Sequence, residues 1–290
     1  MMGTAPSVAR MLGEWTLDPA LAGALAATAL LYLIGMRRVR RGWAAVRCAS
    51  FLAGLATIAV ALLSGIDGYA DSLLSVHMAQ HMLLLMVAPV LLAAGAPARL
   101  ALAASPRGPR RAIAAVLHHR VVRLVLAPGI AALAVSALIL AGDLTGLMAL
   151  TLRDRTVHEL EHAAFLVAGL ALFVPLVAAD PLPRPPGALA RLAALTAVMT
   201  AMVLVGAVLT FQGSVRYPHY LAAARALHVS ALGDQQLAGV VMWFGGGLVG
   251  AALTVALVAR ALIAEERRQR RRERHTALPH GAAPGEVSVR

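Results

Sequence analysis

SLLSVHMAQHMLLLMVAPVLLAAG, residues 72–95, is the stretch that decides the fold. Its apolar part reaches the roughly 20 residues that a helix needs to cross the hydrocarbon core of a bilayer. Near its start stand His77 and His81, and i,i+4 spacing puts both imidazoles on one helix face, about one turn apart. Ionisable side chains inside a membrane span are costly and mark function. The segment therefore reads as a membrane helix with a polar site at one end.

Outward from it, apolar runs of similar length recur, with spans expected at 19–36, 43–65, 72–95, 121–141, 159–179, 189–211 and 237–260. This predicts an all-α, polytopic membrane protein, a bundle of seven transmembrane helices. Residues 1–18 form a short N-terminal segment, 19–260 the membrane domain and 261–290 a basic tail whose last part, 276–290, is expected to be unstructured. Arginine sets the orientation. Arg37, Arg38, Arg40 and Arg41 follow the first span; Arg99, Arg107, Arg110, Arg111, Arg120 and Arg123 lie between the third and fourth. Arg184 and Arg191 flank the fifth-to-sixth turn, and EERRQRRRERH follows Arg260. The alternate loops hold fewer arginines and include Asp67, Asp71, Asp143 and Asp154. By the positive-inside rule the N-terminus is external and the C-terminus cytoplasmic. Glu14 and Asp18 before the first apolar run, with arginines after it, are the reverse of a signal peptide's polarity and favour a first span inserted N-terminus outward.

Hydrophobic residues make up 60% of the 290-residue chain, which excludes an ordinary soluble domain. The net charge of +12 comes from arginine alone, since the sequence has no lysine. In a membrane protein such an excess marks cytoplasmic loops and contact with membrane lipids, not nucleic acid. Cys48 is the single cysteine, so no internal disulfide and no Cys-x-x-Cys thiolate pair can form.

In this topology the third, fifth and seventh spans all start at the outer surface. The third carries His77 and His81, the fifth His158-Glu-Leu-Glu-His162, and the seventh Gly233-Asp234-Gln235-Gln236. Two histidine pairs and an acid at one depth make a metal site, with His77, His81, His158, His162 and Asp234 as the ligand pool. Imidazole suits copper, zinc, iron and nickel, and thioether sulfur shifts the preference toward cuprous copper. Met78, Met82 and Met86 run beside the first pair, and Met242 falls seven residues after Gln235, on nearly the same face. Met242 is the methionine singled out as a ligand; the plainer role of each is flexible core packing. Glu161 and Gln235 are expected to orient the ligands. His118, His119, His275 and His280 lie in basic, solvated segments, and His219 and His228 in an outer loop, where they could help recruit metal.

Two rival chemistries use the same residues. His158-Glu159-Leu160-Glu161-His162 is a literal H-E-x-x-H, in which two histidines hold zinc and the glutamate acts as general base. Such a protease has no use for His77 and His81. Bis-histidine haem ligation needs ligands facing across a bundle at two depths, which pairs at one depth do not supply.

Taken in order, HMAQHMLLLMVAPVLLAAGAP, HELEHAAFLVAGLALFVPL and DQQLAGVVMWFGGGLV resemble the seven-helix CtaG-type cytochrome c oxidase assembly factors, as does Tyr217-Pro218-His219-Tyr220. The likeness spans about residues 67–260. It implies a bacterial plasma-membrane protein that is not an enzyme, works with cytochrome c oxidase subunits and supplies copper to a haem–copper oxidase. The family's histidine pairs match His77 and His81, then His158 and His162; its Asp-Gln-Gln matches 234–236 and its Met-Trp pair Met242 and Trp243. Departures at Pro89-Val90, Val174 and Phe244-Gly245 touch helix packing and kinking rather than the ligands. The expected function is thus an oxidase assembly factor with copper, or else zinc, at an outward-facing His/Asp site. The alternatives are a membrane zinc hydrolase built on His158, Glu159 and His162, and a scaffold that docks oxidase subunits without metal.

Overall fold

The computed structural model describes residues 7–39 and 42–276. Arg40, Arg41, His280 and the segment 277–290, part of the stretch expected to be unstructured, lie outside the described residues, as does the His275 side chain. All regular structure among the described residues is helical, apart from one isolated antiparallel bridge between Trp15 and Ser64.

The chain opens with a short α1 (Val8–Gly13), then α2 (Pro19–Arg38), α3 (Ala45–Leu63) and a six-residue α4 (Gly65–Ala70). The third span is α5 (Leu74–Met82), a π-helical turn (Leu83–Val87) and α6 (Ala88–Ala94) in one continuous rod. Next come α7 (Pro97–Ala104), α8 (Arg107–His118) and α9 (Arg120–Val125), then α10 (Pro128–Leu144) and α11 (Leu147–Thr151). The chain ends with α12 (Arg155–Val177), α13 (Ala188–Phe211), α14 (Tyr220–Ala226) and α15 (Ala231–Thr276).

Six of these helices are long and apolar enough to cross a membrane, one fewer than the sequence led us to expect. The exception is α10, with 17 residues. Its expected start near 121 moves to Pro128, because the residue before a proline is pushed out of helical geometry and the ring suits the first helical turn. Even so, α10 runs from one end of the bundle to the other. Its first residues share a cleft with Leu182 and Arg184, beyond the end of α12. Its last turn lies against Glu161, near the start of α12. The fifth span begins a turn early, since Asp154 caps it through Thr156 N–H (2.8 Å) and Val157 N–H (3.3 Å). The seventh runs on to Thr276 because nothing after Arg260 breaks a helix, and Glu266 and Arg270 pair at i,i+4 there.

The main core joins α5, α6, α10, α12, α13 and α15, while α2 and α3 pack in a second cluster around Leu84, Ala88 and Leu92. Small residues let the backbones close up. A Cβ at Gly206 would sit 2.9 Å from the Gly239 carbonyl, so α13 and α15 touch backbone to backbone there. α12 meets the π turn in the same way. Pro89 has no N–H to offer the Leu85 carbonyl one turn back, and a Cβ at Gly169 would overlap that carbonyl and lie 2.7 Å from Pro89 Cγ. Only glycine fits there.

The starts of α5, α12 and α15 meet at one end, and α1 is fastened to that same end. There the Tyr69 hydroxyl donates to Glu14 (3.1 Å), and the Met11 carbonyl leaves room only for glycine at Gly65. The basic extension of α15 leaves from the opposite end.

Candidate metal centre

His77 and His81 occupy the second and third turns of α5, and their rings lie 4.2 Å apart edge to face. His158 and His162 likewise stand in the second and third turns of α12, with ring centroids 4.1 Å apart. The helices bring the pairs together: His77 and His158 stack at 5.1 Å, and His81 lies 5.8 Å from His162. The sequence pairing of helix starts thus becomes a four-histidine cluster.

Glu161 joins it. Its Oε2 is 3.7 Å from His81 Nε2. One ligand atom from each of His77, His81, His158 and Glu161 lies within 4.8 Å of the other three. Ligands about 2.0–2.1 Å from an ion stand at most roughly 4.2 Å apart, so the four side chains must draw inward to grip one.

Burial makes the cluster chemically demanding. His77 is fully buried and His81 4% exposed. Both ring nitrogens of His77, Nε2 of His81, His158 and His162, and Oε2 of Glu161 are buried without a hydrogen-bond partner. The Ala70 carbonyl faces His77 and the Thr151 hydroxyl faces Glu161, neither completing a bond of good geometry. An unsatisfied buried polar group costs about 1–3 kcal/mol, so unpartnered atoms gathered from His77, His81, His158 and Glu161 call for a shared partner. A cation bound by imidazole and carboxylate fits. His158, half-buried, faces the rim, where Asp67 and Asp71 add negative potential.

Asp234 is not drawn into this set. Its Oδ2 accepts from Leu74 N–H (2.7 Å), and its Oδ1 from Ser75 N–H (3.4 Å) and the Ser75 hydroxyl. The first N–H groups of α5 have no intrahelical acceptor, and Leu73 at the cap position offers no side-chain oxygen. A carboxylate arriving from the start of α15 satisfies them and complements the helix dipole. Asp180 does the same at the far end, accepting from Arg99 N–H of α7 at 2.7 Å, and burial pushes its carboxyl above the usual range.

Met242 also stands apart from the cluster, 2% exposed in the main core with Met78, Met82 and Met86. Gln235, expected to orient a ligand, pins the loop between α13 and α14: it accepts from Arg216 N–H (2.7 Å) and donates to the Ser214 carbonyl (3.1 Å). Glu159 points outward and pairs with Arg155 at 2.9 Å, both exposed. The H-E-x-x-H glutamate is therefore turned away from the histidines.

The sequence reading missed Gln80. It is fully buried between His77 and His81, and donates to the Ala61 carbonyl (2.9 Å) and to Asp67 (2.8 Å). Burial raises the Asp67 carboxyl. This tie holds α4 over the site, and Gln80's place inside the histidine motif was the available signal. Tyr220 adds a second tie through the Ala70 carbonyl (3.2 Å), while Tyr217 donates to the Asp143 carbonyl and Arg216 to the Leu144 carbonyl (3.1 Å) at the end of α10. Burial raises both phenols, keeping them protonated as donors.

Replacing Asp234 by alanine is expected to cost about 1–2 kcal/mol, the usual range for a lost cap, while metal stoichiometry is retained. Thermal melting with and without metal checks this. Loss of bound metal in Asp234→Asn, with stability intact, would return Asp234 to the ligand set.

The profile of a family described as cytochrome c oxidase caa3 assembly factor matches residues 30–263. An uncharacterized protein of Mycobacterium bovis is 31% identical over 281 residues, covering 93% of this chain and 42% of its own length. An uncharacterized protein of Mycobacterium leprae is 28% identical over 286 residues, covering 93% and 43%. The chain thus spans about two fifths of the length of these curated relatives. No solved structure matches it.

Proposed function

Since the chain belongs to the family of cytochrome c oxidase caa3 assembly factors, we propose that it holds a copper ion for a haem–copper oxidase and passes it to an oxidase subunit. His77, His81, His158 and Glu161 are the proposed ligands, with His162 beside them. The observation that carries this reading is the convergence of unpartnered buried imidazole and carboxylate atoms from two helices. Among divalent first-row metals such N/O sites bind cupric copper most tightly, ahead of zinc. The methionines sit in the core rather than the cluster, which favours the cupric ion over the cuprous one.

In this reading the protein sits in a bacterial plasma membrane with the site facing outward and the arginine-rich loops in the cytoplasm. α10 is then a seventh crossing. The parity supports it, since α1 is fastened at the site end and α15 leaves by the other. The six longer helices would put both ends of the chain on one side.

A zinc hydrolase needs a general base beside the metal, and Glu159 is paired outside with Arg155. Glu159→Gln is accordingly expected to bind metal and to support oxidase assembly like the parent chain. A Glu159→Gln protein that keeps zinc but loses all function would overturn the copper assignment. The direct test is elemental analysis of the purified full chain, together with oxidase copper content in a strain lacking the gene. About one copper per chain and a copper-poor, copper-rescued oxidase are expected. A metal-free protein that still restores the oxidase would make it a docking scaffold.

A further inference from the structure

At the end of the bundle opposite the histidines, the loop between α12 and α13 leans over the junction of α9 and α10. Between them lies a cleft of about 390 Å³. Arg120, Arg123 and Arg184 line it, together with apolar Leu117, Leu124 and Leu182. None of the three arginines forms an ion pair among the described residues. No residue of α8 or α9 is buried, and Val116, Val121, Leu124 and Val125 are exposed there.

We infer that this cleft binds one anionic phospholipid, its phosphate held by Arg120, Arg123 and Arg184 and its upper acyl chains lying along Leu117, Leu124 and Leu182. The chemistry on the two walls points to one amphipathic occupant. Guanidinium groups recognise phosphate through paired N–H donors. Three of them unpaired at one spot leave a local charge that needs an anion. A free phosphate or a nucleotide would gain nothing from the leucines, whereas a lipid uses both. The place in the fold agrees, because the cleft lies where α10 begins and α12 has ended, at headgroup depth if the helices cross a bilayer. α8 and α9 are short, with exposed apolar and basic side chains, as in helices that lie in the interface. The occupant would bridge the α9–α10 and α12–α13 connections, which both line the cleft.

The test uses the full chain in mild detergent and native mass spectrometry. Phosphatidylglycerol, phosphatidylcholine with the same acyl chains, and inorganic phosphate are each added at equal concentration. Phosphatidylglycerol is expected to be retained as one tight adduct, well above phosphatidylcholine, with phosphate giving none. Each arginine near a membrane surface contributes about 1 kcal/mol toward an anionic lipid, a factor of about five. Arg120→Gln, Arg123→Gln and Arg184→Gln should therefore each weaken retention about fivefold, and Arg37→Gln, at another cytoplasmic site, should not. Equal retention of the two lipids by the parent protein would overturn the proposal whatever the variants do. So would a phosphate adduct as strong as the lipid's, or an unchanged adduct in all three single variants.

Discussion

A protein with leucine at both 77 and 81 is expected to lose metal binding outright and yet, stripped of metal, to be more stable than the parent. The two effects share one cause. In the metal-free parent, three ring nitrogens of His77 and His81 are buried with no hydrogen-bond partner, each at a cost of about 1–3 kcal/mol. Leucine is of similar bulk and carries no polar atom, so it removes that penalty without leaving a large cavity. The gain expected in the metal-free state is about 1–3 kcal/mol after repacking. The loss of two proposed ligands should exceed by far the roughly 10- to 100-fold in affinity that an outer partner contributes. Thermal melting with chelator, then with added copper, reads both. Copper should raise the parent's midpoint and leave the variant's unchanged. A variant that still binds copper at full strength would mean a site confined to α12. A variant less stable than the parent under chelator would mean that those nitrogens are satisfied by something other than metal.

Gly169→Val should do comparable damage from three turns away. A Cβ at that position overlaps the Leu85 carbonyl and meets Pro89 Cγ at 2.7 Å and the Leu85 carbonyl carbon at 3.2 Å. Backbone and a proline ring cannot swing aside as a flexible side chain can. Valine must push α12 off the π turn, which places the cost at the upper end of the usual 1–3 kcal/mol for overpacking, or beyond it. The same displacement carries His158, Glu161 and His162 away from His77 and His81, so copper affinity should fall along with the melting temperature. Gly23→Ala is the control. Nothing lies within 4 Å of a Cβ there, and losing a mid-helix glycine is expected to be neutral or stabilising by up to about 1 kcal/mol. A Gly169→Val protein that melts and binds copper like the parent would refute the close-packing account.

The membrane helices were legible because a bilayer imposes a length, and six of the expected spans reappear as long apolar helices, the last of them beginning earlier and running on past Arg260 where nothing breaks it. Asp154 and Pro128 moved two helix starts, and both signals were present in the sequence. The histidine pairs were legible from i,i+4 spacing and common depth. The choice of carboxylate was not. On a helix at about 100° per residue, Glu159 and Glu161 lie on either side of the mean direction of His158 and His162, at equal angles. Periodicity has no means of choosing between them; the position of His81 on another helix does. Asp234 was ambiguous for a related reason. An acid at a helix start can serve a metal or a neighbouring helix's bare N–H groups, and the ones it serves, at Leu74 and Ser75, are 160 and 159 residues away in the chain.

A π turn is an α-helix carrying one residue too many, and the run Leu83–Val87 is such an insertion frozen into the middle of a membrane rod. The wider turn absorbs the extra residue, so α5 upstream stays nearly in phase with α6 downstream, as though the rod were one residue shorter. His77 and His81 therefore keep the face they share with α12 while Leu92 keeps the one it shares with α3. Deleting one of the five apolar residues would draw the run back toward regular helix without turning the histidines. Deleting one residue between His162 and Gly169, in the unbroken part of α12, would instead rotate His158, Glu161 and His162 by about 100° against the rest of that helix. One residue of the first rod is spare, whereas in the second a variant can lose the site without losing any of the residues that build it.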